Sequence, residues 1–245
     1  MKNPVLSNIE ISIKRAEITY ILGANGAGKS TLLKVLCGIL DPDSGYVLYE
    51  DTDIKTIGRA ALAKQIAYVS QETTFGFPFT VKEVVLLGRS PYIGRYEFER
   101  DSDFEIAKSA MEQVGITHLQ DRNINNISGG ERQLVSLARA IAQQPQVMVL
   151  DEPGTFLDLK HKSMIFSIIK KLCTDEGITI IVATHDISSI INTLGISILL
   201  KNGKVLYSGN SSDVLTEHNL TEVYDTDVKI LRDNSSLLIT ANTLN

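Results

Sequence analysis

The chain has only two cysteines in 245 residues, Cys37 and Cys173, each alone in an apolar stretch. With no CxxC and no histidine at ligand spacing, they exclude a disulfide framework and a zinc knuckle. Both are expected to be small core residues of a protein kept in a reducing compartment. Positive charge is not in excess either: 24 Lys and Arg against 29 Asp and Glu leave a net charge of −5. That balance provides no basic face for a phosphate backbone, so no nucleic acid is expected as a partner. Long apolar runs are missing as well. The longest, residues 178–183 and 196–200, fall far short of the ~18 residues that a membrane span requires. Residues 1–14 lack the apolar centre of a signal peptide. The expectation is a soluble, cytosolic protein with no internal repeat, whose 43% hydrophobic residues can bury a substantial core.

The residues that are present alternate in kind. Residues 18–22 form a short apolar run that enters GANGAGKST, after which Leu32, Val35, Leu36 and Ile39 recur at helical spacing. The order is strand, glycine loop, helix. DPDSG marks a turn, and 46–50 and 66–70 read as strands, the second ending at Gln71. From 73 to 145 the text is helical, with helices predicted over 81–88 and 104–114. Strands resume at 147–150 and 178–183 with a helix over 160–173 between them, the alternation of a parallel sheet with crossover helices. Residues 196–200 and 204–207 flank KNG as a hairpin, and the polar end from Asn234 onward reads as loosely held.

Three stretches carry chemistry. GANGAGKST has the spacing of a phosphate-binding loop, in which backbone amides wrap the phosphates, Lys29 reaches the outer ones and Ser30 binds magnesium. The pattern arises by chance in roughly one chain in a hundred of this length, and far less often between a strand and a helix. VMVLDEP places Asp151 at the carboxyl end of a buried strand, where it can hold magnesium through water. Glu152 beside it is placed to polarise an attacking water as general base. Gln71 and His185 also follow strands, at the edge where a ligand crevice lies; Gln71 can complete the magnesium shell, while a lone histidine there is more often structural. The third stretch, ISGGERQLVSLARAIAQQP, begins with Ser128 and Glu131 as a capping box and continues with Leu134, Leu137, Ala138 and Ile141 on one helical face. A cap alone does not call for Gly129 and Gly130, each of which weakens the first turn by about 1 kcal/mol relative to alanine. Bare backbone at a helix N-terminus points to an approaching anion.

GANGAGKST, Gln71, ISGGE, VMVLDEP, Leu157-Asp158 and His185, in this order over nearly the whole chain, resemble the ATP-binding subunit of an ATP-binding cassette (ABC) transporter. The resemblance implies an α/β fold: a P-loop NTPase core with a parallel sheet, a small antiparallel portion and a helical insert. As one ABC ATPase domain, 1–245, it would divide into a core (1–72 and 146–245) and a helical subdomain (73–145). It implies ATP held by Gly23, Asn25, Gly26, Ala27, Gly28, Lys29, Ser30 and Thr31, magnesium by Ser30, Gln71 and Asp151, and catalysis by Glu152, His185, Lys29 and Gln71. Ser128, Gly129 and Gly130 would act in trans, on ATP held by the P-loop of a second copy in a head-to-tail dimer. Asp158 would bridge the two subunits and His185 would contact the γ-phosphate.

FPFTVKEVVLLGRSPYIGR, LDLKHK and SSDVLTEHNLTEVYDTDV look in particular like ATPases of importers for iron–siderophore, haem or cobalamin. This implies membrane permease subunits as partners, an indirect link to a substrate-binding protein, and a peripheral place on the cytoplasmic face of the membrane. Phe75, Phe77 and Phe79 lie in the segment that docks the membrane subunit, with filling of the insert's own core as the equal alternative. The rival readings are an ABC ATPase for Fe–S cluster assembly or DNA maintenance, and a nucleotide-binding regulator without turnover. Three departures stand out. The signature is ISGGE where LSGGQ is commoner, Gly154 stands where threonine is usual, and the family's opening strand with its adenine-stacking aromatic has no counterpart before Pro4-Val5-Leu6. The last leads to an expectation of weak base selectivity, with GTP turned over nearly as well as ATP.

Overall fold

In a computed structural model the described residues are 4–71, 76–155, 157–190, 195–233 and 236–242. In chain order they form β1 (Ile18–Leu22), α1 (Lys29–Leu36), β2 (Leu48–Tyr49), β3 (Thr52–Asp53), α2 (Arg59–Gln65), β4 (Ile66–Val69), α3 (Val81–Leu86), α4 (Asp101–Gln113) and α5 (Gly129–Ala142). There follow β5 (Val147–Asp151), α6 (Leu159–Thr174), β6 (Thr179–Thr184), β7 (Ile196–Lys201), β8 (Lys204–Asn210), α7 (Ser211–Val214), α8 (Glu217–Tyr224), β9 (Asp227–Asp233) and β10 (Ser236–Asn242). Six strands make one sheet in the order β4-β5-β6-β1-β7-β8, parallel throughout except for β8. β2 and β3 pair antiparallel as a separate two-stranded ribbon, as do β9 and β10.

The continuous apolar runs fit strands buried on both faces. In β1, Ile18, Tyr20 and Leu22 join one buried cluster and Ile21 the other; in β5, Met148 and Leu150 separate from Val149 in the same way. The first cluster packs the sheet on α5 through Leu134, Leu137, Ala138 and Ile141, and on α6 through Ile165, Ile169 and Leu172. The second packs it on α1 through Leu32, Leu33 and Cys37, with the half-buried Leu6, Ile9, Ile11 and Ile13 laid over it. Each such aliphatic side chain contributes about 1.5–3 kcal/mol relative to exposure. The first cluster runs without a break from the sheet into α3 and α4, through Val81, Val84, Val85, Ala107 and Met111. Both cysteines are buried and free. Burial, with a smaller push from Asp151, raises the Cys37 thiol to about 12, so it packs as an inert small hydrophobe.

The hairpin at KNG is present: Asn202 and Gly203 both take positive φ (48° and 74°), as a two-residue turn between twisted strands requires. The strand read over 46–50 shrinks to Leu48–Tyr49, because Glu50 and Asp51 turn the chain at φ 48° and 65°. The end from Asn234 onward, expected to be loose, contributes β10, paired along its length with β9. Helix α2 was not expected from the sequence, since only Leu62 of its seven residues is buried and no apolar stripe announces it.

Candidate active site

Parallel pairing places the carboxyl ends of β4, β5, β6 and β1 side by side, with Leu22 opposite Thr184, Asp151 opposite Ala183 and Val69 opposite Leu150. The residues at or just after these ends are Gly23, Asp151-Glu152, His185 and, two places beyond β4, Gln71. Residues far apart in sequence are thereby gathered at the edge where open α/β sheets bind ligands.

The glycine loop closes on itself around a buried cation. Lys29 Nζ donates to Gly23 O (2.8 Å) and Ala24 O (3.3 Å) and lies 3.5 Å from Glu152 Oε1. Gly26 and Gly28 take φ of 81° and 102°, and Gly28 caps α1 without any side-chain hydrogen bond, leaving the first-turn amides to a ligand. A β-carbon at Gly28 would lie 2.8 Å from Leu6 Cδ2, and one at Gly23 would overlap Leu200 O, so the loop is also pressed tightly onto the fold. Ala24, Asn25 and Gly26 stay exposed, Thr31 is half-buried and Ala27 is buried.

Asp151 is 3% exposed at the end of β5, and both its oxygens are engaged. Ser30 Oγ donates to Oδ1 (3.1 Å) and Tyr68 OH to Oδ2 (3.0 Å). Burial first, then the Asp151 charge and this hydrogen bond, push the Tyr68 phenol well above its ordinary value, so it remains a donor. Tyr68 is a site residue that the sequence reading missed; its position three before Gln71 on a strand bound for the ligand edge is the signal that could have found it. Gln71 is exposed, and Asp151 accepts from Ser30 and Tyr68 instead of from it. Among the described residues no cluster of three or more His, Cys, Asp or Glu forms a metal cage. A hydroxyl and a carboxylate held side by side are hard oxygen donors of the kind magnesium takes together with phosphate oxygens and water, so the residues fit that ion.

Glu152 is 7% exposed and sits at φ 51° in the left-handed region, uncommon outside glycine. Its amide donates to Ala183 O (2.8 Å), fixing it across to β6. Its Oε1 faces Lys29, and its Oε2 accepts from Thr155 Oγ1 (3.0 Å) and lies 2.8 Å from His185 Nδ1. His185 therefore touches the carboxylate directly, with half its side chain still exposed. Gly154 lets α6 close in, since a β-carbon there would stand 3.3 Å from Lys162 Cγ and 3.4 Å from Phe166. A second residue missed from sequence is Tyr224, at the end of α8. Its buried hydroxyl finds no hydrogen-bond partner among the described residues, and burial chiefly raises the phenol to about 12. It was invisible because α8 is some two hundred residues from the loop.

The signature turn stands apart. Ser128 Oγ accepts from Glu131 N (3.2 Å) and Glu131 Oε2 accepts from Ser128 N (2.8 Å), the capping box expected from sequence. Among the described residues no hydrogen bond or ion pair joins 128–131 to 23–31 within the chain. Asp158 caps α6, accepting from His161 N, and meets His161 Nδ1, both at 2.8 Å. Phe77 and Phe79 are 69% and 37% exposed, with ring centres 5.9 Å apart; Phe75 lies outside the described residues.

The family model described as ABC transporter matches residues 6–155. An uncharacterized ABC transporter ATP-binding protein of Methanocaldococcus jannaschii is 39% identical over 92% of this chain and 87% of that one. The hemin import ATP-binding protein of Hahella chejuensis is 36% identical over 93% and 89%. The cobalamin import ATP-binding protein of Halobacterium salinarum is 33% identical over 98% of this chain, which spans 60% of that relative's length. Among solved structures, an inward-facing metal-chelate type ABC transporter is similar with a TM-score of 0.84 at 28% identity, over 98% and 91% of the two chains. An ATP-binding cassette solved as a dimer with ADP and Pi after hydrolysis is similar with a TM-score of 0.74 at 28% identity, over 86% and 93%.

Proposed function

Since this chain belongs to the ABC transporter family, as an ATP-hydrolysing subunit of its import class, we propose that it powers uptake of a metal chelate (iron–siderophore, haem or cobalamin) through a separate membrane permease. The observation that carries this reading is the meeting of Lys29, Ser30, Asp151, Glu152 and His185 at adjacent strand ends, beside relatives named for hemin and cobalamin import.

In this mechanism backbone amides of the loop and of the first turn of α1 take the phosphates, and Lys29 exchanges Gly23 O and Ala24 O for the outer phosphate oxygens. Ser30, Asp151 and Gln71 would hold magnesium, which supplies charge neutralisation on the β- and γ-phosphates. Tyr68 keeps Asp151 turned toward that position. Glu152 takes the proton of the attacking water, held to one orientation by Thr155 and His185, while His185 offers its free edge to the γ-phosphate. Ser128, Gly129 and Gly130 of a second copy close the site, with Asp158 between the subunits.

The helical subdomain, 73–145, would dock the permease through Phe77 and Phe79, placing the chain on the cytoplasmic face of the membrane with a substrate-binding protein engaged only indirectly. No described helix is long and apolar enough to cross a membrane itself. Among the described residues between α1 and α5 no helix is longer than the 13 residues of α4, too short for a DNA-maintenance coiled coil. The test is reconstitution of the chain with its permease in vesicles. Phe77→Glu should abolish ATP-driven chelate uptake while basal ATP turnover and thermal midpoint stay near wild type. A variant that unfolds would give these rings to the insert's own core, and unchanged uptake would remove Phe77 from the docking surface.

A further inference from the structure

Gly129 and Gly130 are neighbours in sequence but not in surroundings. A β-carbon at Gly129 would meet nothing within 4 Å. One at Gly130 would stand 2.7 Å from His161 Cγ and 2.9 Å from Cδ2 and Nδ1, inside any tolerable contact distance. A long flexible side chain would swing aside at little cost, but this ring is not free. Its Nδ1 is 2.8 Å from Asp158 Oδ1, and the same oxygen accepts from the His161 amide at the start of α6. Moving the ring therefore breaks its bond to Asp158. One residue further on, Lys162 forms an ion pair with Asp186, next to His185, so the first turn of α6 is fastened on the other side as well.

We infer that Gly130, besides closing the second copy's site together with Gly129, leaves room for His161 of its own chain, and that His161 is the positioning residue that holds Asp158 in place for the dimer. This rests on the head-to-tail reading of the previous section. It also makes a distinction that sequence cannot make, since both glycines precede the same helix and both would be assigned to the ligand alone. Alanine is favoured over glycine inside a helix. Without the ring, Gly130→Ala should raise stability; with it, the added methyl overpacks the contact.

The experiment is a cycle of full-length chains: wild type, Gly130→Ala, His161→Ala, the double variant, and Gly129→Ala alone. Two readouts are taken: thermal midpoint without nucleotide, and the ATP concentration that half-maximally drives dimerisation, measured by sedimentation in a Glu152→Gln background. Gly130→Ala should lower the midpoint when His161 is present and raise it when position 161 is alanine. It should also raise the ATP requirement for dimerisation by about tenfold, the scale of one overpacked contact, and combining it with His161→Ala should add no further increase. His161→Ala alone should raise that requirement with ATP binding to the single chain unchanged by calorimetry, a split that a purely structural role would not produce. Gly129→Ala should leave the midpoint at or above wild type and still impair dimerisation, with no rescue from position 161. Additive midpoints for Gly130→Ala and His161→Ala would overturn the inference. If Glu152→Gln stays monomeric at saturating ATP, the head-to-tail reading fails instead, while the midpoint cycle still decides the Gly130–His161 contact.

Discussion

The chain has two glycine-bearing helix starts, and they are built in opposite ways. At the P-loop, α1 begins from Gly28 in a left-handed conformation with no side-chain cap, and a buried lysine is folded among the loop carbonyls. At the signature turn, α5 begins from a serine whose capping box with Glu131 satisfies donors internally. The first start has no side-chain cap, so its first-turn amides are left for a ligand. The second has its cap satisfied by its own side chains before any other molecule arrives. A helix dipole and glycines are common to both; the difference lies in who satisfies the first-turn amides.

The largest effect separates binding from turnover at the first start. Glu152→Gln should lower phosphate release by roughly 100-fold or more, the scale of a lost general base, while calorimetry shows ATP still bound. Lys29→Ala should weaken ATP binding itself. Wild-type phosphate release from Glu152→Gln would remove the carboxylate from its role, and equal binding losses in both variants would erase the distinction.

A smaller effect tests how the magnesium side of that start is held. Tyr68→Phe deletes one hydrogen bond to Asp151 Oδ2 and leaves the ring packed. A net loss of about 1 kcal/mol corresponds to about a fivefold rise in the magnesium concentration needed for tight nucleotide binding, read by titration without turnover. Magnesium-free nucleotide affinity should not move; if it does, Tyr68 supports the loop as a whole and not Asp151.

The smallest effect belongs to the second start. The Ser128 amide, then the Ser128 hydroxyl, hold the Glu131 carboxyl below its ordinary range. A carboxyl whose folded pKa is depressed adds stability that is present above its unfolded pKa and lost as pH falls through the folded value. Glu131→Gln should therefore lower the thermal midpoint by a few degrees at neutral pH, and the gap to wild type should close in acid. A gap that stays constant with pH would show that the charge of Glu131 contributes nothing to the cap.

Much of this was legible in the linear text, because the signals are local. A phosphate loop requires glycines and a lysine at fixed offsets, a capping box requires serine and glutamate three apart, and a strand buried on both faces requires an unbroken apolar run. Those requirements determined the P-loop, the capped start of α5, the strand that delivers Asp151 and Glu152, and the hairpin at Asn202-Gly203. What only the tertiary structure decided are contacts between elements distant in sequence. Tyr68 against Asp151, His185 against Glu152 and His161 beneath Gly130 depend on which strand ends lie together and which helix crosses which. Local propensity carries no information about such juxtapositions. They arise when burying the two faces of the sheet fixes its strand order, and the side chains at its edge are then brought within bonding distance.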